Sequence, residues 1–379
     1  MRRCDVLVVG AGPAGATAAL GLARAGLDVV VAEKERFPRR KVCGEFVSAP
    51  TWALLRELGV AEALAPQAGP PVTRVGLFAG EHRIEAAMPA HSGGGHGRAI
   101  GRHLLDAALL DAARSAGAEV WQPAAVKQVG RMGEWHRAKL DDGEIAARLV
   151  VDTHGSWLAG PFAPLPPTSD RDLLGFKARF AGASLPRGLM PLVLFPGGYG
   201  GLVHTDGGDV SFSCCIAHGV LRHARAGFPS AGEAVLAHVS GRNRAFRETL
   251  SGATLRGSWL AAGPIRPGFR TLHRDGVFAA GNAAGEAHPL VAEGIAMAIQ
   301  SGWLLARHLA SATPLSAARG YARDWRRHFA RRIRAAQLFE SLAATAAPAF
   351  VGAVRLVPAA LTWGAWASGK SHLPAPELA

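Results

Sequence analysis

The chain has 379 residues, an apolar share of 49% and a formal charge of +13. That length allows two domains with a large buried core, and the apolar share is that of a folded globular protein. Cys4, Cys43, Cys214 and Cys215 show no CxxC spacing, which argues against a disulfide scaffold, a zinc site and an iron–sulfur cluster. Arginine supplies most of the charge, because lysine occurs only at 34, 41, 127, 139, 177 and 370. The basic residues are scattered and no nucleic-acid module accompanies them, so nucleic acid is not an expected partner. A basic surface suits phosphorylated cofactors, anionic lipid or an acidic protein.

The opening "MRRCDVLVVGAG" leads from two arginines straight into a strand, without the regions of a secretory leader, and a cytoplasmic location is expected. "DVLVVG" (5–10) reads as a buried strand, "AGATAALGLARAG" (14–26) as a helix ending in glycine, and "DVVVAEK" (28–34) as a second strand. Gly10, Gly12 and Gly15 fall at the first turn with Pro13 and Ala14 between them, and Glu33 ends the second strand. Such glycines permit a tight turn and close approach of a pyrophosphate to backbone N–H groups, while the acid accepts bonds from ribose hydroxyls. This order of elements points to a dinucleotide site.

The loop "FPRRKVCGEFVSAP" (37–50) follows, then an amphipathic helix within 99–117 introduced by Arg102, and a buried strand in "ARLVVDTHGSW" (147–157). Alternating runs between about 171 and 256, "MPLVLFPGGYGGLVHT" and "DVSFSCCIAH" among them, predict an antiparallel substrate sheet inserted in the nucleotide-binding domain. "GVFAAGNAAGEAHPLVAEGIAMAIQSGWLLARHL" (276–309) gives strand, glycine-rich loop and long helix. The expected fold is α/β: a Rossmann-like domain with a parallel sheet over 1–75, 98–160 and 257–315, a substrate domain over 76–97 and 161–256, and a helical segment over 316–379. The last segment carries an apolar run interrupted by Pro348, Arg355 and Pro358, read as two short helices with a peripheral membrane contact as an alternative.

"VVGAGPAGATAA", "VVDTHGSW" and "AAGNAAGEAHPLVAEGIAMAIQSG" resemble three motifs of the flavoprotein superfamily that contains para-hydroxybenzoate-type aromatic hydroxylases, flavin-dependent halogenases and geranylgeranyl reductases. The 37–50 loop and "PGGYGG" (196–201) are similar to the geranylgeranyl reductase branch. The resemblance implies FAD. Its ADP half would rest on the glycine turn and Glu33, with Lys34, Arg40 and Arg102 as candidate contacts to phosphate or ribose oxygens, although Arg40 and Lys41 also fit a solvated loop. In "AAGNAAGEAHPLVAEGIAMAIQSG" Gly281, Asn282, Gly294 and Ile295 would hold the ribityl chain and ring, Asn282 standing where the family normally has aspartate. Candidate catalytic residues are Cys43, Glu45, Tyr199 and His288, with Cys43 equally readable as an inert thiol and His288 as a loop cap.

No second GxGxxG follows a strand, so electrons are expected from NAD(P)H that docks transiently or from a partner reductase. Hydroxylation of a hydrophobic aromatic or polyketide-like molecule is the first expectation. Reduction of prenyl or lipid C=C bonds is the alternative, disfavoured by Gly201 where that branch has an aromatic residue. Halogenation ranks lower because the GWxWxIP motif is missing, and a non-catalytic FAD-binding protein ranks last. The basic rim also suits an acidic carrier protein presenting a tethered substrate.

Overall fold

The computed structural model describes residues 1–91, 95–155, 168–345 and 347–368. Ser156 and Trp157 of the "VVDTHGSW" motif lie outside the described residues. Strand β1 (Arg2–Val9), helix α1 (Pro13–Arg24) and strand β2 (Val29–Ala32) open the chain as a βαβ unit. Strands β3 (Arg74–Ala79) and β4 (His82–Ala87) leave for a second sheet. Helix α2 (Arg102–Ser115), strand β5 (Glu119–Trp121) and strand β6 (Gly143–Asp152) return to the first. The second sheet then takes β7 (Leu173–Ala181), β8 (Leu189–Phe195), β9 (Gly198–His204) and β10 (Val210–Ala217). Three helices follow: α3 (His218–Ala224), α4 (Ala231–Ser240) and α5 (Arg244–Leu250). Strands β11 (Leu260–Ile265) and β12 (Val277–Ala279) precede α6 (Gly294–Ser311), α7 (Pro314–Thr345), α8 (Ala347–Leu356) and α9 (Ala359–Ala367).

In the first sheet β12, β6, β1, β2 and β5 are neighbours in that order, and all these pairs are parallel. Val6, Leu7 and Val8 are wholly buried, as expected for an apolar run covered on both faces. The register aligns Val9 with Ala32 on one side and Asp152 on the other, and Asp152 with Ala279. Residues 10–12, 33, 153–155 and 280–282 therefore leave the sheet side by side at its carboxyl edge, where doubly wound sheets bind nucleotides. Glycines set how closely the helices above it pack: a Cβ on Gly302 of α6 would lie 2.2 Å from the Ala14 carbonyl oxygen of α1.

The second sheet runs β7–β10–β9–β8–β3–β4, with β11 on the other side of β7. It differs from the expected sheet in three ways. It is mixed, because β8 pairs with β3 in parallel. Residues 218–250, read as part of the strand-rich region, form α3, α4 and α5, which cover one sheet face through Val235, Val239 and Phe246. Strand β11 pairs antiparallel with β7, so this sheet extends past residue 257. The helical segment also divides: Tyr321, Trp325, Phe329 and Ile333 of α7 enter the core of the nucleotide-binding layer, whereas Val354 and Leu361 of α8 and α9 pack on β3 and β4.

Candidate functional site

At the carboxyl edge of the first sheet, Gly10 takes φ +97° and donates its N–H to Ala32 at 2.8 Å. A Cβ there would come within 2.9 Å of the Thr153 carbonyl oxygen, and one on Gly15 within 1.9 Å of the Gly10 carbonyl oxygen. The Thr153 hydroxyl fixes the turn from the neighbouring strand end, lying 2.9 Å from the Val9 carbonyl and 2.7 Å from that of Gly10. Gly12 caps α1 with no side-chain hydrogen bond and Pro13 begins the helix, which leaves the first-turn N–H groups for an anion. Glu33 is buried; its carboxylate accepts from Ala11 N–H at 2.7 Å and Glu35 N–H at 2.9 Å, and a carboxylate has lone pairs left for ribose hydroxyls.

A cavity of about 350 Å³ lies here, lined by Gly10, Gly12, Glu33, Lys34, Arg40 and Lys41 among others. Burial, then Arg102 and Arg39, push the Lys41 ammonium down to about 8. A lysine crowded by two arginines fits a site whose charge balance is completed by an anionic group. Lys34 and Arg40 are exposed at the rim, and Arg40 also approaches Gly257 of the second domain. Arg102 is buried and bidentate to Asp106, at 2.6 and 2.8 Å, and Arg39 shares the same carboxylate at 3.0 Å. Arg102 thus lies beneath the glycine turn, its guanidinium 3.8 Å from where a Gly12 Cβ would be.

The 37–50 loop runs from this cavity onto the second sheet. Gly44 faces Ser213 and Val42 faces Gly175. Glu45 takes φ +60° and is buried, its Oε1 bound by Lys177 and by Arg179 at 2.9 Å. Arg179 continues to Asp206 at 2.7 Å, and Asp206 accepts the Gly101 N–H at 2.6 Å. Burial works against the charge of Glu45, but Lys177 and Arg179 hold its carboxyl below the usual range. This candidate catalytic carboxylate, which could position a substrate hydroxyl or take its proton, is paired with two cations and joins the loop to the sheet. Cys43 is half-buried; its sulfur accepts the Glu45 N–H at 3.4 Å and interacts electrostatically with Arg102 and Lys177.

Pairing across β7, β10 and β9 puts Gly175, Cys215 and Tyr199 in one row and Lys177, Ser213 and Gly201 in the next, on the face that meets the loop. A Cβ on Gly201 would meet only the Pro191 carbonyl oxygen, at 3.4 Å, so the expected opening beside Tyr199 is present. Tyr199 packs on His288, ring centroids 5.2 Å apart, and stands opposite Cys215 in the β9–β10 pair. His288 is buried, its Nδ1 has no hydrogen-bond partner, and desolvation pushes it down to about 4, so the imidazole is neutral at pH 7. Gly294 starts α6 exposed, with open space where a Cβ would point and no side-chain cap, while Ile295 is buried beneath it. A helix N-terminus facing open space suits a ring that gains negative charge on reduction. Gly281, at φ +63°, bonds Ser301 Oγ through its N–H at 2.8 Å. Asn282 donates to Glu286 at 3.0 Å, which accounts for an amide at this position: a carboxylate would face another carboxylate.

The structure brings the four candidate catalytic residues to the same face of the second sheet, and the cofactor candidates to the carboxyl edge of the first. Sequence reasoning missed Thr153, Lys177, Arg179, Asp206 and Cys215, whose roles come from long-range pairing. The glycine turn, the uncapped N-termini of α1 and α6 and the cation-rich cavity together fit FAD.

Residues 3–157 match the FAD binding domain family. The match covers less than half of the chain and supports an FAD-binding domain in that part of it. Over 116 residues it is 40% identical to the menaquinone reductase of Mycobacterium tuberculosis, a stretch covering 31% of this chain and 28% of that enzyme. Over 154 residues it is 29% identical to the rifampicin monooxygenase of Rhodococcus hoagii, covering 40% and 31%. The chain therefore matches less than a third of the length of either relative. In fold it is similar to the flavin-dependent brominase Bmp2, with TM-score 0.77 and 18% identity over 98% of this chain and 94% of that one. A geranylgeranyl bacteriochlorophyll reductase-like protein from Thermoplasma acidophilum gives TM-score 0.74 and 19% identity over 99% and 94%.

Proposed function

We propose that the protein reduces a carbon–carbon double bond of a hydrophobic, prenylated small molecule, with FAD as its redox group and NAD(P)H or a partner reductase as electron source. The observation that carries this reading is the environment of the Cys43 sulfur, where the Glu45 N–H, Arg102 and Lys177 converge. The sulfur thus sits where the 37–50 loop meets the second sheet, as a proton donor to a substrate held there would have to. FAD, when bound and reduced, supplies hydride chemistry. Cys43 supplies the proton: its S–H bond breaks, a C–H bond forms on the other carbon of the double bond, and the thiolate stays beside its three partners until water reprotonates it.

This reverses the order suggested by the sequence. Phenol hydroxylation asks for a base that draws off the phenolic proton. Glu45 is compensated by Lys177 and Arg179, and His288 is a weak acceptor because burial disfavours its protonated form. The similarity to menaquinone reductase supports a prenylated quinone as the first probe. The FAD-loaded protein is reduced anaerobically and mixed with that probe, and the product is identified by mass. Saturation of one double bond is expected, with Cys43→Ser keeping its FAD and slowing flavin reoxidation by roughly a hundredfold. An oxygen-inserted product when air is admitted, or full turnover in Cys43→Ser, overturns the proposal.

A further inference from the structure

The outer surface of α8 and α9 is a second feature that asks for a partner. The two helices meet at an angle of 111°. Their inner side is accounted for: Val354 and Leu361 pack with Leu77, Ala79 and Ile84, Ala365 packs with Phe46, Met88 and Val203, and the Thr362 hydroxyl donates to Ala87 at 2.7 Å. The outer side is exposed to solvent. Leu356 is 85% exposed, Val357 46%, Trp363 65% and Trp366 54%. Four large apolar side chains within one helical turn-and-bend are a patch rather than scattered surface residues.

We propose that this bend docks on an anionic lipid bilayer, lying in its interface without crossing it. No single helix among the described residues is long and apolar enough to cross a bilayer, and the 111° bend turns α9 away from the axis of α8. Ten-residue α8 reaches roughly 15 Å, against a hydrocarbon core of about 30 Å. Monotopic contact fits: Leu356 and Val357 form the tip, and two tryptophans flank it, the residue whose amphipathic ring prefers the headgroup boundary. Charge supports the same occupant. Arg355 is exposed at the bend, and the chain has no acidic residue between 341 and 376. Arg319, Arg323, Arg326, Arg327, Arg331 and Arg334 are exposed along the preceding α7. A protein partner with a hydrophobic groove would be served by the apolar tip alone, whereas the exposed Arg355 cation next to Leu356 favours phosphate headgroups. The position has a consequence for the site: Ala365 packs on Phe46, which follows Glu45 in the Cys43 loop. A hydrophobic substrate dissolved in the bilayer would thus enter near the thiol.

This inference stands apart from the reductase reading, because binding is measured without turnover. FAD-loaded full-length protein is sedimented with vesicles of phosphatidylcholine, alone or mixed with phosphatidylglycerol. Binding to the anionic vesicles, weakened by salt, is expected. Trp363 and Trp366 should be quenched by brominated acyl chains. The variant with Leu356→Ser, Val357→Ser, Trp363→Ser and Trp366→Ser should keep its FAD and lose at least about tenfold in vesicle affinity. Failure of the wild type to sediment, equal sedimentation of a yellow variant, or a self-associated species that disappears in the variant overturns the proposal. Should the fourfold variant lose its flavin, Leu356→Ser with Val357→Ser alone gives the same test, because neither side chain is buried.

Discussion

His288 shows how one residue's surroundings set its chemistry. It touches Tyr199, lies at the start of the turn before α6, and has no hydrogen-bond partner at Nδ1. Burial alone pushes it down to about 4 from an ordinary 6.5. Between those values the unfolded chain binds a proton that the folded chain does not, so stability falls as pH drops through 6.5 and rises again as pH is restored. The loss by pH 4 is about 3 kcal/mol. Urea unfolding followed at pH 7, 5.5 and 4 should show that decline, and His288→Phe should flatten it. An unchanged pH slope in the variant would place the titration elsewhere. Carboxylates add a second, more acidic step in the same direction: Asp206, though buried, is brought to about 2 from 3.8, mainly by Arg179, so its contribution is lost only as pH falls through that lower range.

At the scale of elements, the nucleotide site depends on how closely α1 and α6 approach. Gly302 of α6 lies against Ala14 of α1, and Gly21 of α1 lies against Ala306, where its Cβ would be only 2.7 Å away. Gly302→Ala puts a methyl group into a 2.2 Å space bounded by backbone, so the helices must separate. The expected cost is about 2 kcal/mol of stability, with a fall in FAD affinity measured by flavin fluorescence, because Ala14 belongs to the turn expected to hold the diphosphate. Unchanged affinity would mean that the two helices adjust independently of the site. The first βαβ unit and α6 were legible in the sequence because glycine turns and helix caps are local demands. The substrate region was less so. Ser230 accepts from Glu233 N–H and Asn243 from Phe246 N–H, capping α4 and α5 as short-range signals, yet the flanking alternation made 218–250 read as sheet. Lys177 and Arg179 could not be read as partners of Glu45, since that pairing depends on the register of β7 and on a loop some 130 residues away in sequence.

Across the whole molecule, α7 decides where the folded unit ends. The sequence suggests a helical segment beginning at 316 and separate from the nucleotide-binding domain, but the helix supplies part of that domain's core. Tyr321, Trp325, Phe329 and Ile333 are buried, and the Tyr321 hydroxyl donates to the Ala279 carbonyl at 2.8 Å. Trp325 reaches Gly285, where a Cβ would meet its ring at 2.7 Å, and Arg332 donates to Gln300 at 3.0 Å. The helix therefore braces the loop and helix proposed to hold the flavin. Removing one buried aromatic costs about 3–5 kcal/mol, and whole domains are stable by about 5–15 kcal/mol. A chain ending at 313 should accordingly fail to fold. A chain ending at 346 keeps α7 and loses only α8, α9 and the residues after them, exposing Leu77 and Ile84 on the second sheet. It should remain folded and yellow, with circular dichroism close to that of the full chain less two short helices, and be more prone to self-association through the uncovered sheet. A folded, FAD-containing product from the chain ending at 313 would show that α7 is packed on the domain without being needed by it. Loss of fold in the chain ending at 346 would place α8 and α9 inside the cooperative unit, and their exposed tryptophans would then be the outer side of a structural element.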